Sequence, residues 1–173
     1  MQSPLVMTII GIDRTGLVES IARLIAEHGG NWLESRMCRL GGEFAGILRA
    51  EVPQDREQAL VQSLRDLQVH GITVIVRPDQ AKPSAGLTKT ASLSLVGQDR
   101  SGIIHHISAA LAHQNINVEE LETECSSAPM SGEMIFRAVA RLQIPETCVI
   151  SELREALEEI GSELMVDISF SEN

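Results

Sequence analysis

Aromatic residues are nearly missing from this sequence, which has three Phe, one Trp and no Tyr among 173 residues. Stacking bases on aromatic faces, the usual grip of single-strand binders, therefore has no material here. Basic residues are in the minority, 14 Lys and Arg against 24 Asp and Glu, for a formal net charge of −10. That field repels a polyanion, so direct nucleic-acid binding is not expected. Cysteine is sparse as well. Cys38, Cys125 and Cys148 are odd in number and widely spaced, which fits neither a disulfide framework nor a zinc site. No apolar run approaches the roughly 20 residues of a bilayer span. Met1-Gln2-Ser3-Pro4 lacks the basic segment that leads into the apolar part of a signal peptide. A cytoplasmic protein with no membrane partner is the expectation.

What is present is a repeat. Gly11-Ile12-Asp13-Arg14-Thr15-Gly16-Leu17-Val18 returns as Gly97-Gln98-Asp99-Arg100-Ser101-Gly102-Ile103-Ile104, an offset of 86, and Asn31 falls on Asn117 at the same offset. Phe44 then matches Phe136 and Pro53 matches Pro145 at an offset of 92, so the second copy holds six extra residues near Cys125 to Gly132. Gly71 and Gly161 read as the ends of each copy's second helix. Pro78 to Gly86 is rich in Pro, Gly and small residues and reads as a linker. The expected division is 1–78, a linker at 79–90, and 91–173. Units of this size bury limited cores.

Each copy reads β-α-β-β-α-β. Leu5 to Ile10 is a short apolar run suited to a central strand. Leu17, Ile21, Leu24 and Ile25, and Ile103, Ile107, Ala110 and Leu111, have amphipathic helical spacing. Thr15 and Ser101 stand where an N-cap belongs, with Asp13 and Asp99 as rivals; Gly29-Gly30 and Asn115 suit the helix ends. In the third strand Phe44, Gly46, Leu48, Ala50 and Val52 alternate with Ala45, Ile47, Arg49 and Glu51, and Met134 to Ile144 repeats the pattern. Period two with one more polar face predicts an antiparallel sheet with helices on one side. The fold class is α+β, two tandem ferredoxin-like units.

Many functions share that fold, so the site must decide. Exposed aromatics and a basic surface, which an RNA-recognition module needs, are missing. The Cys-x-x-Cys of a heavy-metal carrier is replaced by Asp-Arg-Thr/Ser-Gly. Between a strand and a helix, Gly16 and Gly102 allow close approach to the backbone. The free N–H groups and positive dipole end of the helix suit a carboxylate, while Asp13 or Asp99 can accept from an ammonium group. An amino acid carries both groups. The alternative is that each Asp caps its helix and each Gly permits a tight turn.

Gly-x-Asp-Arg-[Thr/Ser]-Gly-[Leu/Ile]-[Val/Ile] after an apolar strand resembles the signature of ACT domains, regulatory modules that commonly bind amino acids. Residues 95–104, the insertion Ala128-Pro129-Met130-Ser131-Gly132, and Gly42-Glu43-Phe44 are similar to the glycine cleavage system transcriptional repressor family, over about residues 4–170. The resemblance implies a regulator that takes a small amino acid such as glycine, acts through a protein partner such as a transcriptional activator, does not hold DNA itself, and forms a homo-oligomer. Ligand contacts are expected at Asp13, Arg14, Thr15, Gly16, Leu17 and Asn31, and at Asp99, Arg100, Ser101, Gly102, Ile103 and Asn117. Each Asp and Asn lie at opposite ends of one helix, about 21 Å apart for 14 residues. Asp13 is thus expected to meet Asn117, and Asp99 to meet Asn31, where two ACT units pair. No nucleophile–base pair, phosphate loop, metal triad or cofactor motif is evident, so an enzyme, including an acylphosphatase-like one, is not expected. His105, His106 and His113 read as surface residues and Glu119 to Glu124 as a solvated edge strand. The alternative function is amino-acid binding without a transcriptional role.

Overall fold

A computed structural model describes residues 1–80, 88–128 and 132–172. The chain divides into two units, Met1–Lys82 and Pro83–Asn173. The first runs β1 (Gln2–Ile12), α1 (Leu17–Glu27), β2 (Asn31–Leu40), β3 (Glu43–Pro53), α2 (Glu57–Asp66), a 3-10 turn at Leu67–His70, and β4 (Ile72–Pro78). The second repeats it as β5 (Thr88–Gln98), α3 (Ile103–His113), β6 (Asn117–Ser127), β7 (Met134–Pro145), α4 (Ile150–Leu164) and β8 (Val166–Glu172). Sheet order is β2-β3-β1-β4 and β6-β7-β5-β8, antiparallel throughout. This is the expected split β-α-β arrangement. The second sheet begins at Thr88, three residues before the expected start of the second unit. Residues 81–87 of the expected linker, and Pro129, Met130 and Ser131 of the insertion, lie outside the described residues.

Each unit closes its own core by the alternation seen in the sequence. Leu5, Met7 and Ile9 of β1 and Leu48, Ala50 and Val52 of β3 are buried against Leu17, Ile21 and Ile25 of α1 and Leu60 and Leu64 of α2. Leu93, Leu95, Ala138, Ala140 and Leu142 meet Ile103, Ile107, Leu111, Leu153 and Leu157 in the same way. Burial of a Leu or Ile is worth about 1.5–3 kcal/mol. β6, which holds the acidic run, is an edge strand as expected, and Arg141 on β7 pairs with Glu119 and Glu120 at 3.0 and 2.8 Å.

Two helix boundaries differ from the sequence reading. Gly161 does not end α4, which continues to Leu164; Met165 then takes the left-handed conformation at φ 54°. Strand register shows why. Gly11 pairs with Ile72 and Gly97 with Val166, so the counterpart of Gly71 (φ 76°) is Met165. Gly161 serves a different end, since a Cβ there would stand 3.0 Å from the Val166 carbonyl oxygen.

The second difference is the helix start. Gly16 and Gly102, not Thr15, Ser101 or an Asp, are the N-caps of α1 and α3, at φ 87° and 95°, and neither helix has a side-chain cap. A Cβ on Gly16 would meet nothing within 4 Å, so glycine is required by its φ, not by space. Gly16→Ala should therefore cost about 1–2 kcal/mol through backbone strain alone, and Gly16→Asn less. Denaturation followed by Trp32 fluorescence measures this; equal stability of the alanine variant and the wild type would contradict it.

Candidate functional site

The two Asp-Arg-x-Gly loops leave the C-terminal ends of the central strands β1 and β5 and enter α1 and α3. Each is pinned to the neighbouring hairpin by the Asp amide, Asp13 N–H donating to the Gly42 carbonyl at 2.9 Å and Asp99 N–H to the Met134 carbonyl at 2.8 Å. The amides of the first helical turn have no acceptor within the helix; in the first unit that of Leu17 donates to the Arg14 carbonyl at 3.4 Å. Arg14 spends an N–H on the His70 carbonyl at 3.3 Å, and Arg100 lies 3.9 Å from the Met165 sulfur. Both arginines thus lean on the turn that starts the last strand of their unit. In the first unit a hollow of about 190 Å³ is lined by Asp13, Arg14, Gly16, Leu17, Val18, Glu19 and Phe44. That is room for about six water molecules.

Neither aspartate caps its helix, so that half of the structural alternative fails, while Gly16 and Gly102 do take the tight left-handed turn it expected; the carboxylates are engaged otherwise. In the first unit Arg39 Nε meets Asp13 Oδ2 at 2.6 Å. Register places Arg39 opposite Phe44 and Cys125 opposite Phe136, so Cys125 is the counterpart of Arg39. The second carboxylate accordingly accepts a hydrogen bond from the Cys125 thiol, and the thiol pKa is pushed up by local desolvation first, then by that bond and by the charge of Asp99. Among the described residues no cation pairs with Asp99. The first turns differ as well. Glu19 stands in that of α1, and α3 has no acidic residue there; its counterpart is His105. His106 Nδ1–H donates to the Gly102 carbonyl at 2.8 Å.

Asn31 and Asn117 are not brought to their own loops. Asn31 pairs with Glu51 and Ile12 with Glu43; eight residues of β3 separate those rows, about 27 Å. Asn117 is opposite Gln143, at the corresponding far end of its sheet. Sequence reasoning missed Arg39, Glu19, His105 and the Cys125 thiol as loop neighbours. The offset of 86 carries Arg39 onto Cys125, so the repeat held the signal.

Residues 3–77 match a family model described as the ACT domain. A UPF0237 protein of Methanopyrus kandleri is 33% identical over 79 residues, 45% of this chain and 81% of that one. The chain belongs to the ACT-domain family. The second unit shares the first one's strand order and repeats its Asp-Arg-x-Gly loop, so this is a tandem ACT protein. The glycine cleavage system transcriptional repressor of Escherichia coli (strain K12) is 22% identical over 165 residues, 94% of this chain and 86% of its own. A crystal structure of a protein from Galdieria sulphuraria superposes with a TM-score of 0.85 at 29% identity, covering 100% of this chain and 99% of that one. One assigned as a glycine cleavage system transcriptional repressor gives 0.71 at 18% identity, covering 100% and 98%, and shares the fold. No helix among the described residues is long and apolar enough to cross a membrane.

Proposed function

We propose that this tandem ACT protein is a cytoplasmic amino-acid-responsive regulator that controls glycine-cleavage genes through contact with a protein partner and not with DNA. The observation that carries the amino-acid part is Asp99. Among the described residues its carboxylate neither caps the helix nor pairs with a cation, its neighbour is the Cys125 thiol, and its loop leads into a helix start, where the first-turn amides have no acceptor within the helix. An ammonium group would reach Asp99 while the carboxylate of the same molecule takes the first turn of α3, with Arg100, Ser101, Gly102 and Ile103 as the loop around it. The first loop, at Asp13, Arg14, Thr15, Gly16 and Leu17, is the weaker of the two, because Arg39 already neutralises Asp13 and Glu19 opposes an anion at the helix start. Asn31 and Asn117 reach a loop ligand only when supplied by another ACT unit.

The transcriptional part rests on the resemblance to the Escherichia coli repressor over nearly the whole chain and on the net charge of −10, which disfavours direct DNA contact. Titration calorimetry with glycine and other small amino acids is expected to show binding, and the isolated protein should leave a promoter fragment unshifted at physiological salt. Tight, salt-sensitive DNA binding would overturn the protein-contact mechanism. Amino-acid binding with no effect on a glycine-cleavage reporter would favour the reading without a transcriptional role.

A further inference from the structure

The two sheets differ on the faces turned away from their helices. In the first unit register aligns Cys38, Ala45, Ile10 and Thr73 in one row across the sheet, and Arg36, Ile47, Thr8 and Ile75 in the next. Ile10, Ile47 and Ile75 are 47%, 55% and 52% exposed, and Ile12 and Leu40 at the end of the same face 67% and 79%. In the second unit the matching rows are Glu124, Arg137, Val96 and Asp167, then Glu122, Val139, Ser94 and Ser169. Duplication supplied both faces; one sets Val96 and Val139 (38% and 54% exposed) among charged and hydroxyl side chains, and the other kept a cluster of exposed isoleucines, which a solvated sheet does not need.

We propose that the open sheet face of the first unit is a homodimer interface, which packs on the same face of a second copy of this chain. Three features argue for a second copy. A two-fold axis parallel to the strands and passing between β3 and β1 lays β3 over β1 of the second copy and β2 over its β4, as in aligned sheet packing about 10 Å apart. Ile47 then faces Thr8, and Ala45 faces Ile10, so beside the axis large side chains meet small ones, while toward the edges Arg36 lies over Ile75 along its aliphatic stem. The same operation sets Glu34, which also pairs with Arg49 of its own sheet at 3.3 Å, against Arg77 of the second copy, twice by symmetry, so opposite charges meet at the rim. A groove of about 570 Å³ opens on this face over Cys38, Ala45 and Ile47, with Glu34, Arg36 and Arg49 also lining it; Ile10 of the second copy projects into it and Ile75 lies beside Arg36.

The area is sufficient. Four strands about 4.8 Å apart and four rows about 6.8 Å apart give of order 500 Å² on each copy, about 1,000 Å² in total, the threshold for a specific interface. The inference does not depend on the ligand loops, which lie at the ends of the strands.

Sedimentation equilibrium tests it on the full chain. The wild type should dimerise, and Ile10→Glu and Ala45→Glu, in the row without charged side chains, should each weaken the dimer at least about tenfold by burying an unpaired charge, with the Trp32 emission of the folded unit retained. Val96→Glu, at the position matching Ile10 in the second sheet, should leave dimerisation unchanged. In a Cys125→Ser, Cys148→Ala background, Thr73→Cys should be joined to the native Cys38 of the second copy by a short bis-maleimide, giving a covalent dimer. A wild type that stays monomeric at high micromolar concentration, a dimer indifferent to both glutamates, or no covalent dimer from the Thr73→Cys chain would overturn the proposal.

Discussion

Asp99→Asn should weaken amino-acid binding about 10- to 100-fold, whereas Asp13→Asn should change it little. A hydrogen bond to a charged group contributes about 1.5–3 kcal/mol, which sets the first figure. The second follows from the Asp13–Arg39 contact at 2.6 Å, since a ligand ammonium must displace a guanidinium already held there. The same substitution has a readout that needs no ligand. The Cys125 thiol is held above its usual pKa by desolvation and by Asp99; removing the carboxylate charge removes part of that shift. The sign is definite. A lower pKa leaves more thiolate at a given pH, so Cys125 in Asp99→Asn should be alkylated faster, with the pH–rate profile displaced to lower pH. Equal loss of affinity from both substitutions would mean that the loops are equivalent. An unchanged alkylation profile would mean that Asp99 does not bear on the thiol.

The elements that could be read from the sequence are those where one pattern has one cause. The alternation along Phe44 to Val52 reports a strand with two unlike faces, and Leu48, Ala50 and Val52 are buried accordingly. Asn115 was readable as a helix end because few side chains tolerate a positive φ, and it stands at 55°. Met165 carries no such signal. Its left-handed conformation is imposed by the β8 register, which starts at Val166, and Gly161 four residues earlier drew the boundary to itself. The helix starts were misread for a similar reason. Thr15 and Ser101 are good caps in isolation, yet a glycine in the left-handed region directly before the helix takes the capping position and leaves the hydroxyls outside it.

The candidate site was legible in its loop and not in its neighbours. Asp13, Gly16, Asp99 and Gly102 are contiguous in sequence, so a motif reveals them. Arg39 and Cys125 come to the aspartates across a sheet in which β2 and β6 each carry an irregularity, between Trp32 and Glu34 and between Val118 and Glu120. Such a shift changes which side chain faces the loop, and pattern alone does not locate it. The two loops look alike as motifs, and their difference lies in residues 25 or so positions away, on another strand. The apolar run Leu5 to Ile10 does lie in a central strand, β1, which buries Leu5, Met7 and Ile9 and leaves Ile10 exposed.

Leu48→Ala should remove about 2–5 kcal/mol from the first unit and leave the second unaffected. Leu48 is 0% exposed on the central strand β3, inside a cluster drawn only from the first unit. Truncation to alanine loses the transfer energy of the deleted atoms and leaves a cavity that strands on both sides prevent from closing. For a unit of this size each kcal/mol moves the midpoint by roughly 4–8 °C, so the shift is of order 10–20 °C or more. The sequence supplies its own probe. The single tryptophan, Trp32, packs against this core and no tryptophan lies in the second unit, so its emission reports the first unit alone. Leu142→Ala, at a site 0% exposed in the second core, is the matched variant. It should lower the far-ultraviolet circular dichroism transition of the second unit by a similar amount while the Trp32 transition stays in place. If Leu142→Ala moved the Trp32 midpoint as far as Leu48→Ala does, the two cores would be one cooperative unit, and the duplication would have produced a single domain in thermodynamic terms.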